Sequence, residues 1–304
     1  MAVRPRTTFA SLALAALLLG CTSAGQEPGA GAADGAPDGD AAAADEPTEE
    51  PAPVWNTEPA SIAAMGDSIT RAFDACALLS DCPEASWATG TDREVDSLAR
   101  QLLGDEVELA DRAWNVAVSG AVMADLPAQA AEAVALEPEL VTVLIGANDA
   151  CARDVTEMTS VDAFRADFAE ALALIRTELP ETGVFVSSVP DLERLWSQGQ
   201  GSVLARAIWQ LASVCPSMLA DPGERGATAT ERRAEVSERV LAYNEVLAEV
   251  CAADALCRYD EGAVHGYAFT TEHLSDWDWF HPNREGQSTL AALAYEQVTR
   301  VSVD

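Results

Sequence analysis

Short apolar runs alternate with longer amphipathic stretches along the chain from residue 61 onwards. The short runs are rich in β-branched residues, which favours strands, and the longer stretches carry apolar residues at helical spacing. The predicted strands are Ser61–Met65, Ala113–Ser119, Leu140–Ile145, Gly183–Val189 and Cys257–Tyr259. The predicted helices are Pro127–Leu136, Val161–Leu179, Val203–Val214, Glu231–Ala253 and Arg284–Val301, with a further helix-compatible stretch after Ser68. This alternation predicts an α/β fold, with a parallel sheet covered by helices on both faces.

The first 20 residues have the pattern of an export signal. A basic start is followed by a short apolar run from Phe9 to Gly20 and then by Cys21. A membrane-spanning helix needs about 20 apolar residues, which argues against the alternative of a retained transmembrane anchor. Leu18–Cys21 resembles the bacterial lipobox, which implies cleavage before Cys21 and a diacylglycerol on its sulfur. We therefore expect a lipoprotein signal peptide over 1–20 and an extracytoplasmic protein held at the cell membrane through Cys21 alone.

Residues 21–58 have the composition of a linker. Small, proline and acidic residues dominate this stretch, which contains nine acids and no base. Such a segment cannot bury enough apolar surface to offset the entropy lost on folding. We therefore expect a disordered acidic tether, followed by one folded domain over 59–304.

The cysteine count fits an exported protein. The chain has seven cysteines, and an even six remain when Cys21 is assigned to the lipid. Oxidation outside the cytoplasm would join these six in three disulfides. Two pairs are each separated by only five residues, and joining them leaves one pair over, although six cysteines allow other connectivities. The expected pairs are Cys76–Cys82, Cys151–Cys215 and Cys251–Cys257. A zinc site is the alternative, but no CxxC spacing exists and histidine is scarce.

The charge of the chain excludes one class of partner. There are 18 basic and 50 acidic residues, which gives a net charge of −32. Binding nucleic acid requires a basic face that neutralises phosphates, so we exclude a nucleic-acid partner. Hydrophobic residues make up 49% of the chain, an ordinary globular value that allows a sizeable core.

Polar residues of catalytic type follow three of the predicted strands. They are Gly66–Ser68 after the first, Ser119–Gly120 after the second and Gly146–Asp149 after the third. In an open α/β sheet, ligands bind beyond the carboxyl ends of the strands. Near the C-terminus stands a fourth segment, Asp278–Asn283. Taken singly, each segment is explained as a turn, a close backbone approach or a helix cap.

Taken together and in this order, the four segments resemble the SGNH or GDSL hydrolase family, which is named after its Ser, Gly, Asn and His. The resemblance covers about 61–301. It implies a three-layer α/β/α flavodoxin-like fold and the hydrolysis of carboxylic esters without cofactor or metal. Gly146–Cys151 and the paired cysteines look most like secreted actinobacterial esterases of the phospholipase B-like group. We expect a monomeric serine esterase or lipase.

The resemblance implies a role for each matching residue. Ser68 matches the nucleophile, and Asp278 and His281 match the DxxH pair. A serine hydroxyl needs a base, and of three histidines only His281 has an aspartate three residues before it. That spacing puts both side chains on one face of a helical turn, so Asp278 accepts from His281 Nδ1 while Nε2 faces Ser68. His265 and His273 lack this spacing, and we expect them to be loop residues.

Attack by serine on an ester carbonyl creates an oxyanion, whose charge must be met by fixed donors. By resemblance these donors are the backbone N–H groups of Ser68 and Gly120 and the side-chain amide of Asn148. Glycine suits its position because no side chain shields the N–H. A helix that opens at Ser68 would add its dipole to this stabilisation.

Other hydrolase classes are disfavoured by missing motifs. The G-x-S-x-G elbow of α/β-hydrolases is absent because Ile69 and Thr70 follow Ser68. A zinc hydrolase is disfavoured because the chain has no HExxH motif. The alternative from a different class is a surface lipoprotein that binds a ligand in the same cleft without turnover.

The sequence does not specify the substrate. Lipids, acetylated glycans and short acyl esters are all compatible with such a fold. Trp277, Trp279 and Phe280 surround the expected catalytic pair. They would wall an acyl pocket or pack against the sheet, and the sequence does not decide between these roles.

Overall fold

The computed structural model describes residues 53–104 and 109–301. The expected signal peptide, the expected lipidation site Cys21 and most of the expected linker lie outside the described residues. Within those two ranges, no helix combines the length and the apolar character needed to cross a membrane.

In the described part of the chain, five parallel strands form a central sheet. They are β1 (Ile62–Gly66), β2 (Ala113–Asn115), β3 (Leu140–Leu144), β4 (Gly183–Val186) and β5 (Cys257–Tyr259). Their order across the sheet is β2-β1-β3-β4-β5, which is the flavodoxin-like order. Both β1 and β3 are buried along their whole length, as expected for central strands of a covered parallel sheet. The predicted parallel α/β fold is confirmed.

Helices cover both faces of the sheet. They are α1 (Leu98–Leu103), α2 (Leu126–Val134), α3 (Ala147–Ala150), α4 (Val161–Glu178), α5 (Leu192–Gly199), α6 (Val203–Ala212), α7 (Pro216–Leu219), α8 (Ala227–Ala252), α9 (Ala263–Gly266) and α10 (Arg284–Val298). Helix α4 packs between α2 and α8, whereas α1 packs on α10. Sheet and helices together form the expected three-layer α/β/α sandwich.

Helix α4 illustrates how the sequence pattern sets an element. The Ser160 hydroxyl accepts the Ala163 N–H at 3.2 Å and caps the first turn. Phe164 and Phe168 recur at helical spacing and are both buried. Pro180 follows the last turn and cannot continue the helix.

The prediction of a helix after Ser68 is wrong. The chain makes a series of irregular turns there, in which Ala72 and Asp74 have positive φ angles of 50° and 56°. Left-handed residues cannot continue a right-handed helix. The Asp74 N–H donates to the Ser80 carbonyl at 3.0 Å, which directs the chain into the loop closed by the first disulfide.

Strand β2 is shorter than predicted, ending at Asn115 rather than Ser119. At the end of the strand, the Asn115 side chain donates to the Thr70 carbonyl at 2.9 Å. The N–H groups of Val116 and Val118 still donate to β1 carbonyls, at 2.9 and 3.1 Å. These bonds carry the segment along β1 to the edge of the sheet where Ser68 lies.

The remaining boundaries differ from the prediction by a few residues. Strand β4 ends at Val186 rather than Val189, and helix α8 begins at Ala227 rather than Glu231. Helix α5 is absent from the prediction because its 8 residues are too few for the apolar period to stand out.

Three disulfides join cysteines in the described residues. They are Cys76–Cys82, Cys151–Cys215 and Cys251–Cys257, with Cα separations of 6.1, 4.3 and 5.1 Å. This is the pairing expected from the spacing. The first closes the loop that follows the nucleophile, the second joins the end of α3 to the start of α7, and the third joins α8 to β5.

The described chain begins at the opposite end of the sheet from the nucleophile. Trp55 Nε1 donates to the Val298 carbonyl at 2.9 Å, and the Arg258 guanidinium lies 4.4 Å from the indole centre. Glu139, which precedes β3, accepts the Ala60 N–H at 2.8 Å. These contacts fix the start of the domain at the edge where the strands begin.

Candidate active site

Ser68 follows β1 through a turn that favours glycine. Gly66 has a φ of 148°, and a side chain there would lie 2.3 Å from the Leu144 carbonyl oxygen. The Asp67 carboxylate accepts the Ile69 N–H at 2.9 Å and fixes the next part of the turn. Ser68 therefore stands at the carboxyl edge of the sheet, where it is 8% exposed.

The structure brings Ser68, His281 and Asp278 together. His281 Nε2 lies 2.8 Å from Ser68 Oγ, although the two residues are 213 positions apart in sequence. His281 Nδ1 is hydrogen-bonded to Asp278 Oδ2. A carboxylate accepts but cannot donate, so Nδ1 carries the ring proton and Nε2 accepts from the serine hydroxyl.

The Asp278 carboxylate is oriented by the turn in which it lies. Its Oδ1 accepts the N–H groups of Phe280 and His281 at 2.9 and 3.0 Å. Its backbone carbonyl accepts Nε1 of Trp209, on α6, at 2.9 Å. Trp279 has a φ of 56°, so a tight turn rather than the expected helical turn joins Asp278 to His281.

Two phenylalanine rings pack against the His281 imidazole. The Phe73 and Phe280 ring centres lie 5.0 and 5.2 Å from that of His281. Phe280 is buried and also lines an apolar cavity of about 20 Å³. Trp277 is 37% exposed, and Trp279 packs half-buried against the core. Of Trp277, Trp279 and Phe280, which the sequence analysis singled out, Phe280 therefore packs its ring on the imidazole, as Phe73 does.

The surroundings of Asp278 and His281 favour the charged form of both side chains. Burial alone lowers the pKa of His281, but the hydrogen bond and charge of Asp278, with further charge from Asp67 and Asp74, raise that pKa above its usual 6.5. Burial raises the pKa of Asp278, but its bonds to His281 outweigh this and bring the pKa below its usual value. Both shifts favour the imidazolium–carboxylate pair.

Gly120 lies in a turn over 118–121. The Ala121 N–H donates to the Val118 carbonyl at 3.0 Å and closes the turn. Gly120 is its third residue and has a φ of 86°, which identifies a type II turn that favours glycine there. No atom lies within 4 Å of the point where a Cβ would stand. Gly120 itself has no side chain that could shield its backbone N–H.

Asn148 lies in the short helix α3, directly after β3. The turn into α3 requires Gly146, whose φ is 122° and whose Cβ would lie 2.8 Å from a Val189 methyl group. Asn148 Nδ2 donates to the Ala121 carbonyl at 2.9 Å. This bond joins the Asn148 amide to the turn that contains Gly120. The structure thus assembles all the residues of the expected site at one edge of the sheet.

Two buried carboxyl groups beside the site escaped the sequence analysis. Asp67 is fully buried, and burial is the main cause that raises its pKa to about 7. Asp149 accepts the Met123 N–H at 2.9 Å, and burial raises its pKa as well. The sequence signal that could have identified these two carboxyl groups is their position directly beside Ser68 and Asn148.

The other two histidines have local bonding roles. His265 Nδ1 lies 3.1 Å from the Val189 carbonyl, and His273 Nδ1 lies 3.0 Å from Thr270 Oγ1. His265 lies in helix α9 rather than in a loop, which corrects the expectation. His273 lies in a short 3-10 turn. Neither of these bonds reaches the catalytic serine.

One group of potential metal ligands occurs in the residues that the structure describes. It comprises Cys76, Cys82 and Glu84. The two cysteines are joined in a disulfide, so neither offers the thiolate that a metal binds.

A comparison with known protein families decides the class of this protein. The sequence model of the GDSL-like lipase/acylhydrolase family matches residues 62–294, which is more than half of the chain. The chain belongs to this family. It is a carboxylic ester hydrolase, and the matched range contains every residue of the site described above.

Solved structures of similar fold come from several bacteria. Phospholipase A1 from Streptomyces albidoflavus NA297 has a TM-score of 0.49 and 17% identity, over 80% of this chain and 100% of that chain. A protein of Parabacteroides merdae named as a GDSL-like lipase has a TM-score of 0.48 and 19% identity, over 81% and 99%. The family 3 carbohydrate esterase of Clostridium thermocellum has a TM-score of 0.46 and 15% identity, over 78% and 94%. No curated protein sequence matches the chain.

Proposed function

We propose that this GDSL-family esterase uses Ser68 as nucleophile, His281 as general base and Asp278 as the acid that orients the base. One observation carries the proposal: a line of hydrogen bonds runs from Asp278 through His281 to Ser68, with a last link of 2.8 Å. That distance lies within the range for direct proton transfer to a general base.

The first half-reaction forms an acyl-enzyme. Ser68 Oγ attacks the ester carbonyl carbon, and its proton passes to His281 Nε2. The carbonyl electron pair moves to the oxygen and makes a tetrahedral oxyanion. When the carbonyl re-forms, the bond to the alcohol oxygen breaks, and His281 gives its proton to the leaving alcohol.

The second half-reaction returns the enzyme to its starting state. A water molecule loses a proton to His281 Nε2 and attacks the acyl carbon. The bond to Ser68 Oγ then breaks, the serine takes the proton back, and the carboxylic acid leaves. The raised pKa of His281 and the lowered pKa of Asp278 both support this cycle, because each half-reaction passes through an imidazolium.

We assign the oxyanion to three donors: the backbone N–H groups of Ser68 and Gly120 and the Asn148 side-chain amide. The unshielded turn at Gly120 supports this assignment, and so does the bond that ties Asn148 to the same turn. Donors that are fixed before the reaction stabilise developing charge without having to reorganise.

The rim of the site supports an uncharged ester with an apolar acyl group as substrate. Val118 and Trp277 are exposed by 55% and 37%. Trp277 precedes Asp278, and Val118 lies two residues before Gly120. The net charge of −32 disfavours a strongly anionic substrate. A rate series on p-nitrophenyl esters of increasing chain length, run beside phospholipids and acetylated glycans, measures this preference.

We further propose that the protein is exported and held at the outer face of the cell membrane through diacylated Cys21. The support is the export signal and the lipobox-like Leu18–Cys21 of the sequence. Two acyl chains suffice for stable membrane attachment where one does not.

A fluorophosphonate probe tests the proposed nucleophile. The probe should label the wild-type protein, peptide mapping should find the label on Ser68, and Ser68→Ala should remove it. Wild-type protein that hydrolyses a p-nitrophenyl ester while Ser68→Ala retains labelling would contradict the assignment. A folded wild-type protein that neither reacts nor hydrolyses any ester would favour the non-catalytic binding lipoprotein.

A further inference from the structure

The turn over 118–121 controls the direction of one proposed oxyanion donor. Its central peptide lies between Ser119 and Gly120 and carries the Gly120 N–H. The observed type II form differs from a type I turn by roughly a half-turn rotation of that peptide. The rotation would point the N–H to the opposite side. Glycine adopts both forms at little cost, so the selection of one form must come from its neighbours.

Apart from its chain neighbours, nothing lies within 4 Å of the point where a Gly120 Cβ would stand, so no contact on that side of Gly120 selects the form. The residues on either side of Gly120 are held instead. The Ala121 carbonyl accepts Asn148 Nδ2 at 2.9 Å. Ser119 Oγ donates to Asp81 Oδ1 at 2.5 Å. The bond to Asp81 holds Ser119, and the peptide that joins Ser119 to Gly120 carries the Gly120 N–H.

Asp81 also holds the segment that follows the nucleophile. Its Oδ2 accepts Nε of Arg71, three residues after Ser68, at 3.2 Å. Both side chains of this ion pair are partly buried, with exposures of 24% for Arg71 and 33% for Asp81. One carboxylate therefore connects the segment of Ser68 to the turn of Gly120, the two chain segments that supply backbone donors.

The backbone of Asp81 is itself fixed. The next residue, Cys82, is buried and joined to Cys76 by a disulfide. The Cys82 N–H donates to the Arg71 carbonyl at 3.0 Å, and the Ser80 hydroxyl donates to the Asp81 carbonyl at 3.1 Å. The disulfide loop thus presents the Asp81 carboxylate from a rigid base.

We propose that Asp81 is a positioning residue of the oxyanion hole: it holds Ser119 so that the turn stays in its type II form and the Gly120 N–H stays aimed at the oxyanion. This inference rests on the proposed function, because it needs an oxyanion at Gly120. The Asp81 carboxylate bonds to Ser119 and Arg71, so Asp81 would act on the oxyanion hole through Ser119.

The test compares kcat and KM of full-length wild type, Asp81→Ala, Ser119→Ala and the double variant on p-nitrophenyl butyrate. Complete loss of one oxyanion donor lowers kcat by about 10²–10³. In Asp81→Ala and Ser119→Ala the Gly120 N–H would be misdirected for only part of the time, so we expect kcat to fall by about tenfold. KM should change less than twofold. The double variant should be no slower than Asp81→Ala, because Asp81→Ala has already removed the bond that Ser119→Ala removes. Ser119→Thr keeps the hydroxyl and should restore most of kcat.

Binding of phenylboronic acid provides a second readout that a merely structural role would not move. Its tetrahedral adduct on Ser68 places an oxygen in the oxyanion hole. Its affinity should therefore fall by about the same factor as kcat in Asp81→Ala and Ser119→Ala. The matched control is Asp254→Ala, which removes a partly buried ion pair with Arg176 at the other end of the sheet. It should lower the melting temperature and leave kcat and boronate affinity near wild type.

Each outcome has a separate meaning. Wild type without turnover or labelling contradicts the proposed function. Active wild type with unchanged kcat in Ser119→Ala overturns the inference, and so does an equal loss of kcat in the Asp254→Ala control. If Asp81→Ala fails to fold, Ser119→Ala and Ser119→Thr still decide the question.

Discussion

At the scale of single residues, the site works by placing acidic groups around one imidazole. Asp278 bonds to His281 directly, while Asp67 and Asp74 act on it through charge. The same surroundings affect the acids differently. Asp278 is bonded to the imidazole and has a lowered pKa, whereas Asp67 lacks a partner for one buried oxygen and has a raised pKa. Two predictions follow from these opposite shifts.

The first prediction concerns the pH dependence of the rate. His281 must be neutral to accept the serine proton, and its pKa in the folded protein is raised. Activity should therefore rise with pH, with a midpoint above 6.5, the usual pKa of histidine. Asp278→Asn should move the midpoint down, because it removes the strongest cause of the upward shift. The measurement is kcat/KM on one p-nitrophenyl ester across neutral pH, and an unmoved midpoint in Asp278→Asn would contradict it.

The second prediction concerns the pH dependence of stability. The pKa of Asp67 is raised from 3.8 to about 7, so the folded state keeps a proton that the unfolded chain has released. Its stabilisation is full below pH 3.8 and is lost as the pH rises through about 7. The loss is at most about 4 kcal/mol. Asp67→Asn cannot titrate, so its free energy of unfolding should fall less than that of wild type over this pH range. Urea denaturation at several pH values measures this free energy. An equal fall with pH in the two proteins would contradict the prediction.

The sequence predicts those residues whose chemistry is visible in local spacing. Asp278 and His281 are three positions apart, and Ser68 follows a buried strand, so a pattern finds them. The link between Asp81 and Ser119 joins residues 38 positions apart through a loop with no regular structure. No periodicity reports such a contact. The burial of Asp67 likewise depends on how distant elements pack around it.

At the scale of elements, strands and long helices follow the apolar pattern, and the segments at the site depart from it. Strand β3 and helix α4 lie close to their predicted bounds because the pattern of buried apolar residues in the sequence defines both elements. The segment after Ser68 has helix-compatible residues, but Ala72 and Asp74 are in left-handed conformations, and the Asp74 N–H donates to Ser80 of the disulfide loop. Tertiary contacts override local preference where the chain must present a nucleophile.

The Cys151–Cys215 disulfide yields a prediction at this scale. It spans 64 positions and ties the segment after Asn148 to helix α7. In the chain-entropy model, a loop of this length stabilises the fold by about 4 kcal/mol. The double variant Cys151→Ser, Cys215→Ser should therefore unfold at markedly lower denaturant concentration. The matched Cys76→Ser, Cys82→Ser variant removes a disulfide that spans only 6 positions and should lose less stability. Equal losses in the two variants would argue against the loop-length explanation.

At the scale of the described domain, the proposed catalytic groups and the first described residues lie at opposite ends of the sheet. Ser68 and His281 stand beyond the carboxyl ends of the strands, whereas Trp55 packs where the strands begin. The fold class was predictable because alternating strands and helices allow few topologies. The proposed membrane attachment depends on residues before 53 and awaits its own test.

That test uses Cys21→Ser. The variant cannot carry the proposed diacylglycerol, so it should move from the membrane fraction to the soluble fraction. Its turnover of a p-nitrophenyl ester should stay near wild type, because Cys21 lies far in sequence from the matched range 62–294. Fractionation with immunoblotting checks the first expectation and a rate assay the second. A variant that stays with membranes as wild type does would contradict the lipid anchor.

The most direct test of the catalytic account is the turnover of Ser68→Ala, His281→Ala and the double variant on one activated ester, with circular dichroism to verify folding. A nucleophile and its base work as a unit, so their losses should not add. All three variants should fall to a similar residual rate, lower than wild type by about 10⁴-fold or more. Near-wild-type turnover in folded Ser68→Ala, or a double variant far slower than both single variants, would contradict the account.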